Sequence, residues 1–275
     1  MIAADAVQKI LKKGYGQKTG NHGVLFYSGI LTLASAVLFL FMVNFKISFS
    51  LNMLLYAVGI AAAHFLSVVF THLSLVSGPL STTSLVTSFS MVIPTAFGII
   101  AYRERLTVAF VIGFAILVTS LFLINSKKAN ETVTAKWAVF VILSVVGAGL
   151  YSVIQSLYQR VINDGTEHGM LSLGFFISAL LIFVVSAAKE YKEVGKCIKS
   201  AMLRAPLTGF INAGANFVVL ILMQLMNLSL IYPLFYAGTI VASTVISITL
   251  YKEKLSVRQG IGLILGTLAI IFISV

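Results

Sequence analysis

The sequence predicts an all-α polytopic membrane protein. Of its 275 residues, 59% are hydrophobic and 10% are charged, and the mean hydropathy is +1.03. Soluble domains carry about 25% charged residues, so this chain has too few charges to cover a water-exposed surface. Long apolar runs alternate with short polar connections, which is the pattern of repeated membrane crossings. The alternating ten-residue pattern of a membrane barrel is absent, so the spans are predicted to be helices.

Nine complete spans are predicted from runs of about 20 apolar residues. They are placed at 24–44, 52–75, 79–101, 107–125, 137–158, 170–188, 205–226, 229–250 and 256–275. The longest polar connections fall at 9–23, 126–136 and 189–204. None of these is long enough to hold an independent catalytic domain.

Cysteine content and net charge exclude several classes of function. Cys197 is the single cysteine, so the chain can form neither an intramolecular disulfide nor a cysteine-based zinc site. The net charge of +11 does not indicate nucleic-acid binding, because the lysines and arginines lie between apolar runs, as membrane orientation requires. We expect no cofactor, a lipid bilayer as surroundings, and a location in the plasma membrane.

One twelve-residue stretch occurs twice, in each case after a long apolar run. YRERLTVAFVIG occupies 102–113 and YKEKLSVRQGIG occupies 251–262. Further matched pairs lie at similar offsets, namely His22-Gly23 with His168-Gly169 and Gln8-Lys9 with Gln159-Arg160. These matches predict an internal duplication, with a first repeat at 1–128 and a second at 136–275.

The second repeat holds five predicted spans, whereas the first holds four and a stub. Residues 137–150 have no counterpart before Met1, which predicts a truncated first helix. The alternative is a nine-helix protein with a short cytoplasmic or interfacial N-terminal helix. Five crossings per repeat would place the second repeat upside down relative to the first, an inverted architecture common among secondary transporters.

The repeated stretch itself is predicted to be structural. Its charges mark the water boundary of a tight turn, and Thr107 and Ser256 are candidate N-caps of the helices that follow. Gly113 and Gly262 lie one and a half turns into those helices, where a missing side chain lets helices approach closely.

This pattern of two five-span units, each with a Glu-containing turn before a Gly-containing last helix, resembles the EamA-like branch of the drug/metabolite transporter superfamily. The residues that carry the resemblance are Glu104, Leu106, Gly113, Glu253, Leu255 and Gly262. Pro94 also fits the family pattern, but the second unit has Ser243 at the equivalent place and its nearest proline is Pro233. The resemblance implies a ten-helix carrier of small metabolites, often an exporter, with both termini inside the cell.

The distribution of positive charge predicts a membrane orientation opposite to the one that the resemblance implies. Counting the truncated helix as the first, fifteen of the nineteen lysines and arginines lie in loops after odd-numbered spans. The other four are Lys46, Arg103, Arg105 and Arg160. Because positive charge marks the cytoplasmic side, this distribution places both termini outside, and the orientation stays open.

Polar residues inside apolar runs are the candidates for a substrate cavity. They are His64, Ser84, Thr87, Ser88, Gln155, Asn212, Asn216, Tyr232 and Tyr236. His64 is the one ionisable group well inside a complete span, and ionisable groups there are functional hypotheses by default. Its alternative role is a neutral imidazole bonded to a neighbouring helix. Pro233 is expected to free a backbone carbonyl and to unwind the helix between the two tyrosines.

The uncharged candidates carry their own alternatives. Asn212 and Asn216 share a helix face, where they either line the cavity or join helices. The hydroxyls of Ser84, Thr87 and Ser88 can line one face or bond back to their own helix. Gln155 is a lone amide.

The predicted function is secondary transport of small organic metabolites by alternating access, and not enzymatic catalysis. The first alternative is a flippase for lipid-linked sugar or lipid. The second is a non-transporting membrane scaffold or a membrane-embedded enzyme, although an enzyme would need clustered catalytic groups that the spans lack.

Overall fold

The structure is a computed structural model, and it describes residues 7–8, 11, 14–16, 18–19, 22–77, 83, 86–125, 134–162, 165–249 and 256–274. In these ranges the chain is helical and contains no strand. Eight α-helices follow one another: α1 Val24–Met42, α2 Leu51–Ser77, α3 Val92–Ala101, α4 Val108–Asn125, α5 Ala135–Leu157, α6 Glu167–Leu225, α7 Leu228–Thr249 and α8 Val257–Ser274. A 3-10 turn at Phe89–Met91 precedes α3, and a π-helical turn at Tyr158–Ile162 extends α5.

Within the described residues, six helical stretches are long and apolar enough to cross a membrane. They are Val24–Met42, Leu51–Leu75, Ala135–Ile162, Glu167–Lys192, Val194–Leu225 and Val257–Ser274. Shorter apolar helices occupy Val86–Ala101, Val108–Leu123 and Leu228–Thr239. The expectation of an all-α chain with long apolar helices is therefore confirmed. Each of the nine predicted spans overlaps one of the six long or three shorter stretches, so nine complete crossings stay a prediction.

Helix α6 differs from the prediction because it is continuous where a loop was expected at 189–204. Its two arms nevertheless pack side by side on α1. The Ser172 hydroxyl donates to the carbonyl of Ala36 at 2.9 Å, and the Ser35 hydroxyl donates to the carbonyl of Gly209 at 2.8 Å. On a straight helix residues 172 and 209 would lie about 55 Å apart, so α6 must double back. The reversal lies beside the start of α1, where Cys197 meets Gly23.

The repeated turns have the structural role that the sequence predicted. The Thr107 hydroxyl accepts a hydrogen bond from the backbone N–H of Phe110 at 3.0 Å and so caps α4. Ser256 caps α8 through the N–H of Gln259, whose side chain accepts the N–H of Ser256 in return. Both N-caps are confirmed.

The paired glycines bring α4 and α8 together. A Cβ on Gly113 would lie 2.8 Å from the Cβ of Phe272 and 2.9 Å from the backbone N of Ile273. The carbonyl of Gly262 accepts a hydrogen bond from the Ser120 hydroxyl at 2.6 Å. A side chain at Gly113 would force the two helices apart, which confirms the predicted close approach.

Helix directions define two faces. The Lys-rich face holds the start of α1, the end of α2 and the reversal of α6, which carries Lys189, Lys192, Lys196 and Lys199. The Glu104 face holds the turn between α3 and α4, the end of α5 and the α6–α7 turn. The candidate site lies between these faces.

Candidate functional site

Two adjoining cavities lie between helices of both halves of the chain. The central cavity has a volume of about 420 Å³, and its polar and aromatic lining consists of Gln8, His64, Ser67, Tyr151, Gln155, Phe175, Asn212, Asn216, Tyr232, Phe235 and Tyr236. The entry cavity, of about 400 Å³, extends from the central cavity to Tyr15, His72 and Leu75 at the Lys-rich face. His64, Ser67 and Asn212 line both. The two cavities therefore adjoin along a wall of polar residues and together extend from the interior to the Lys-rich face.

His64 stands where the two cavities meet. Its Nδ1 lies 2.9 Å from the Ser178 hydroxyl on α6, and its ring meets the edge of Phe175 with centroids 5.1 Å apart. The bond to a neighbouring helix is the alternative role that the sequence left open, and the cavity lining is the functional one. In the structure His64 does both, since it bonds to α6 and also lines the two cavities.

Asn212 and Asn216 share one face of α6, as their spacing predicted, and join three helices through hydrogen bonds. The amide of Asn212 donates to the Ser35 hydroxyl on α1 at 3.3 Å. The Tyr151 hydroxyl on α5 donates to Asn216 Oδ1 at 2.6 Å, and Asn216 Nδ2 donates to the carbonyl of Asn212 at 2.9 Å. These amides both join helices and line the cavity.

Tyr232 and Tyr236 line the central cavity from α7. The Tyr236 hydroxyl pairs with the Ser90 hydroxyl at 2.7 Å, which links the second half of the chain to the first. The expected unwinding at Pro233 is wrong, because α7 is α-helical on both sides of this proline. Tolerance of proline is greatest near a helix start, and Pro233 lies close behind the first turn.

Gln155 is an unsatisfied group in the wall of the central cavity. Its side chain is fully buried, and within the described residues neither Oε1 nor Nε2 has a hydrogen-bond partner. Leaving a buried polar group unpaired costs about 1–3 kcal/mol, so such groups are rare and call for an explanation.

The neighbouring hydroxyl residues Thr87 and Ser88 contribute less to the cavity lining than the sequence suggested. Thr87 donates to the carbonyl of Thr83 at 2.9 Å, which is the bond back to its own helix that the sequence left open. Thr87 and Ser88 line neither of the two cavities. Ser84 lies outside the described residues.

An ion pair joins helix ends at the Glu104 face. Glu104 Oε1 lies 2.9 Å from Arg160 Nη1 and accepts the backbone N–H of Leu228 at 2.7 Å, while Oε2 accepts the N–H of Ser229 at 2.8 Å. Arg160 also donates to the carbonyls of Met223 and Met226 and lies over the ring of Tyr102. Three chain segments therefore meet at this carboxylate, namely the turn that carries Glu104, the end of the α5 extension with Arg160, and the start of α7.

The charge of Glu104 is stabilised by these contacts. Burial raises the pKa of this carboxyl, but the hydrogen bonds from Ser229, Leu228 and Arg160 together outweigh burial and leave the pKa below its ordinary value. The backbone N–H groups belong to the start of α7, where the helix dipole also favours a negative charge. Glu104 is thus held as a carboxylate.

A second carboxylate occupies the Lys-rich face. Glu190, which is 6% exposed, accepts the backbone N–H groups of Leu25 at 3.2 Å and Phe26 at 3.0 Å at the start of α1. The Ser186 hydroxyl donates to it at 3.1 Å, and His72 Nε2 lies 3.7 Å away. Sequence reasoning missed this role, since an acid inside a Lys-rich stretch reads as a solvated surface.

Comparisons with known proteins establish the fold alone. No family model matches the chain. No curated protein matches it either. Among 29 matching chains of solved structures, one described only as the crystal structure of a protein covers 100% of this chain and 98% of its own. Its TM-score is 0.74 at 15% identity, a likeness of fold that carries no information on function.

Proposed function

We propose that the chain is an integral-membrane secondary transporter of small organic solutes that works by alternating access between two inverted repeats. The observation that carries this proposal is a central cavity that is lined by both halves of the chain and adjoins a cavity reaching the Lys-rich face. The Glu104–Arg160 ion pair joins helix ends at the other face, and we infer that it closes the path there. A carrier needs such a cavity, open to one side at a time. Resemblance to EamA-like transporters in the repeated turns favours the same class.

Helix pairing supports the inverted repeat. Helix α3 packs on α7 and α4 packs on α8, and in each pair the two helices hold equivalent places in the two units. The units also contact each other through two buried carboxylates that do not hold equivalent places, since Glu104 of the first unit caps α7 of the second and Glu190 of the second caps α1 of the first. Each unit thereby contributes a carboxylate that binds the start of a helix in the other unit, and the two contacts lie at opposite faces.

Counterflow in liposomes tests the proposal. Liposomes that contain the reconstituted protein are loaded with a labelled metabolite extract, and mass spectrometry identifies the solutes that exchange. We expect exchange of a small set, reduced in His64→Ala and Asn216→Ala and unchanged in Val139→Ala, a control at an exposed site on α5. Absence of exchange from folded protein, across polar and amphipathic solutes alike, would overturn the proposal in favour of a lipid substrate or a scaffold.

A further inference from the structure

Gln155 differs from the other polar groups around the central cavity because its hydrogen-bonding capacity is unused. Tyr151, Asn216 and Asn212 bond to one another in series, and Tyr236 bonds to Ser90. Among the cavity-lining side chains of the described residues, Gln155 alone is fully buried with both polar atoms unpaired. The carbonyl oxygen and the amino group of a primary amide lie side by side, so they match a partner with a donor next to an acceptor.

Charge and shape restrict that partner further. No aspartate, glutamate, lysine or arginine of the described residues lines either cavity, so neither cavity offers a fixed counter-ion for a charged solute. Aromatic rings form much of the wall, with Tyr151 and Phe175 stacked at 24° and 6.1 Å between centroids. A volume of about 420 Å³ is within the range of small-molecule sites. These features suit an uncharged planar solute.

We propose that Gln155 pairs with the amide edge of an uncharged planar solute, in which an N–H donor lies beside a carbonyl acceptor. The solute ring then lies against the aromatic wall. The Gln155 side chain turns its amide, which is fully buried in this structure, toward the cavity, so that two hydrogen bonds satisfy both polar atoms. This inference rests on the proposed transport function and specifies its substrate class by chemistry.

Equilibrium binding of small probes to the full chain in lipid nanodiscs tests whether the protein recognises an amide edge. Two matched probe pairs are used, uracil with 1,3-dimethyluracil and nicotinamide with methyl nicotinate, and the second member of each pair lacks the N–H donor. Orotate, which is uracil with a carboxylate, tests the exclusion of charge. We expect an amide-edge probe to bind and its donor-free partner to bind at least tenfold more weakly, because the partner loses the hydrogen bond to Gln155 Oε1. Orotate keeps the amide edge and should also bind at least tenfold more weakly, because its carboxylate would be buried without a counter-ion.

Gln155→Leu is the matching variant, since leucine removes both polar atoms and leaves an apolar side chain. We expect it to weaken binding of the amide-edge probe about tenfold to thirtyfold and to raise the melting temperature, because an unpaired buried amide is lost. Asn125→Leu, at the far end of α4, serves as the control for introducing leucine in place of an amide.

Several outcomes would overturn the inference. Failure of both amide-edge probes to bind folded protein would overturn the substrate class. Equal binding of uracil and 1,3-dimethyluracil, or unchanged binding in Gln155→Leu, would mean that a water molecule or a rearranged side chain satisfies Gln155. Counterflow separates this failure from that of the proposed function, because exchange of other solutes would retain the transporter and reject only the amide edge. Binding without exchange would retain the site and reject transport.

Discussion

The Lys-rich face and the Glu104 face each carry a buried carboxylate that caps a helix of the other half of the chain. Glu104 and Glu190 both accept two consecutive backbone N–H groups, at Leu228 and Ser229 in one case and at Leu25 and Phe26 in the other. Only Glu104 has a guanidinium, because Arg160 lies 2.9 Å from it. Within the described residues the closest basic group to Glu190 is His72 at 3.7 Å.

The difference follows the shape of the path. His72 lines the entry cavity, so Glu190 lies beside the end that is open. Arg160 joins Glu104 to the carbonyls of Met223 and Met226, and the end with this ion pair is the one that we propose to be closed. Helix capping is thus common to both faces, whereas a fixed cation distinguishes the closed one. The predictions below test whether that cation accounts for the difference.

Arg160→Leu is expected to have the largest effect. It leaves the Glu104 carboxylate, whose side chain is 5% exposed, without its cation. Removing one partner of a buried pair costs about 3–5 kcal/mol. Thermal unfolding in detergent measures the loss, with Arg105→Leu, an exposed cation of the same turn, as the control.

If Arg160→Leu does not fold, the double variant with Glu104→Gln tests the same point. Neutralising the carboxylate removes the stranded charge, so the double variant should recover much of the stability. Equal losses in Arg160→Leu and Arg105→Leu would contradict the assigned role of the ion pair.

Gly98→Ala is expected to disrupt the contacts of Glu104, and so to lower the stability, through steric overlap alone. A Cβ at this position would lie 2.5 Å from Glu104 Oε2 and 3.0 Å from the backbone N of Ser229, so the carboxylate must move. Overpacking of this kind costs about 1–3 kcal/mol. The control is Gly214→Ala on α6, where a Cβ would meet nothing within 4 Å. A stability equal to that of the control would show that Glu104 is not confined as described.

Glu190→Gln is expected to have a smaller effect than Glu104→Gln. Glutamine keeps one acceptor for the start of α1 but turns its amino group toward the other N–H, which loses about 1 kcal/mol of hydrogen bonding. No guanidinium is stranded, in contrast to the Glu104 site. The melting temperatures of the two variants provide the test, with Lys189→Gln at an exposed neighbouring position as control. A larger loss at Glu190 would reverse the comparison.

Much of the site could be predicted from the sequence because polar side chains in apolar runs are conspicuous. His64, Gln155 and Asn216 stand out in this way, and the structure brings them to one cavity with Asn212, Tyr232 and Tyr236. The N-caps were predictable since they depend on neighbours three positions away. The hydroxyls near Thr87 were not, because serine and threonine can satisfy themselves within a helix.

Features that depend on contacts between distant residues could not be predicted from the sequence. Glu104 and Glu190 read as boundary charges, and only tertiary structure brings them to the starts of α7 and α1. Tyr151 reads as an ordinary aromatic residue until Asn216 lies beside it. The reversal of α6 was expected as a long loop, because a polar Lys-rich stretch does not reveal that helix continues close up to the reversal on both sides.

The pH dependence of the Glu104 face is expected to be the smallest effect. Because the folded pKa of Glu104 lies below its ordinary value of 4.5, its stabilising contribution is fully present above that value and is lost as the pH falls through the folded pKa. The difference in melting temperature between wild type and Glu104→Gln should therefore stay constant from about pH 8 to about pH 5 and shrink only in stronger acid. A difference that shrinks between these two values would mean that burial outweighs the hydrogen bonds. Glu104 would then be released by mild acid, and the fixed cation would no longer explain the closed end.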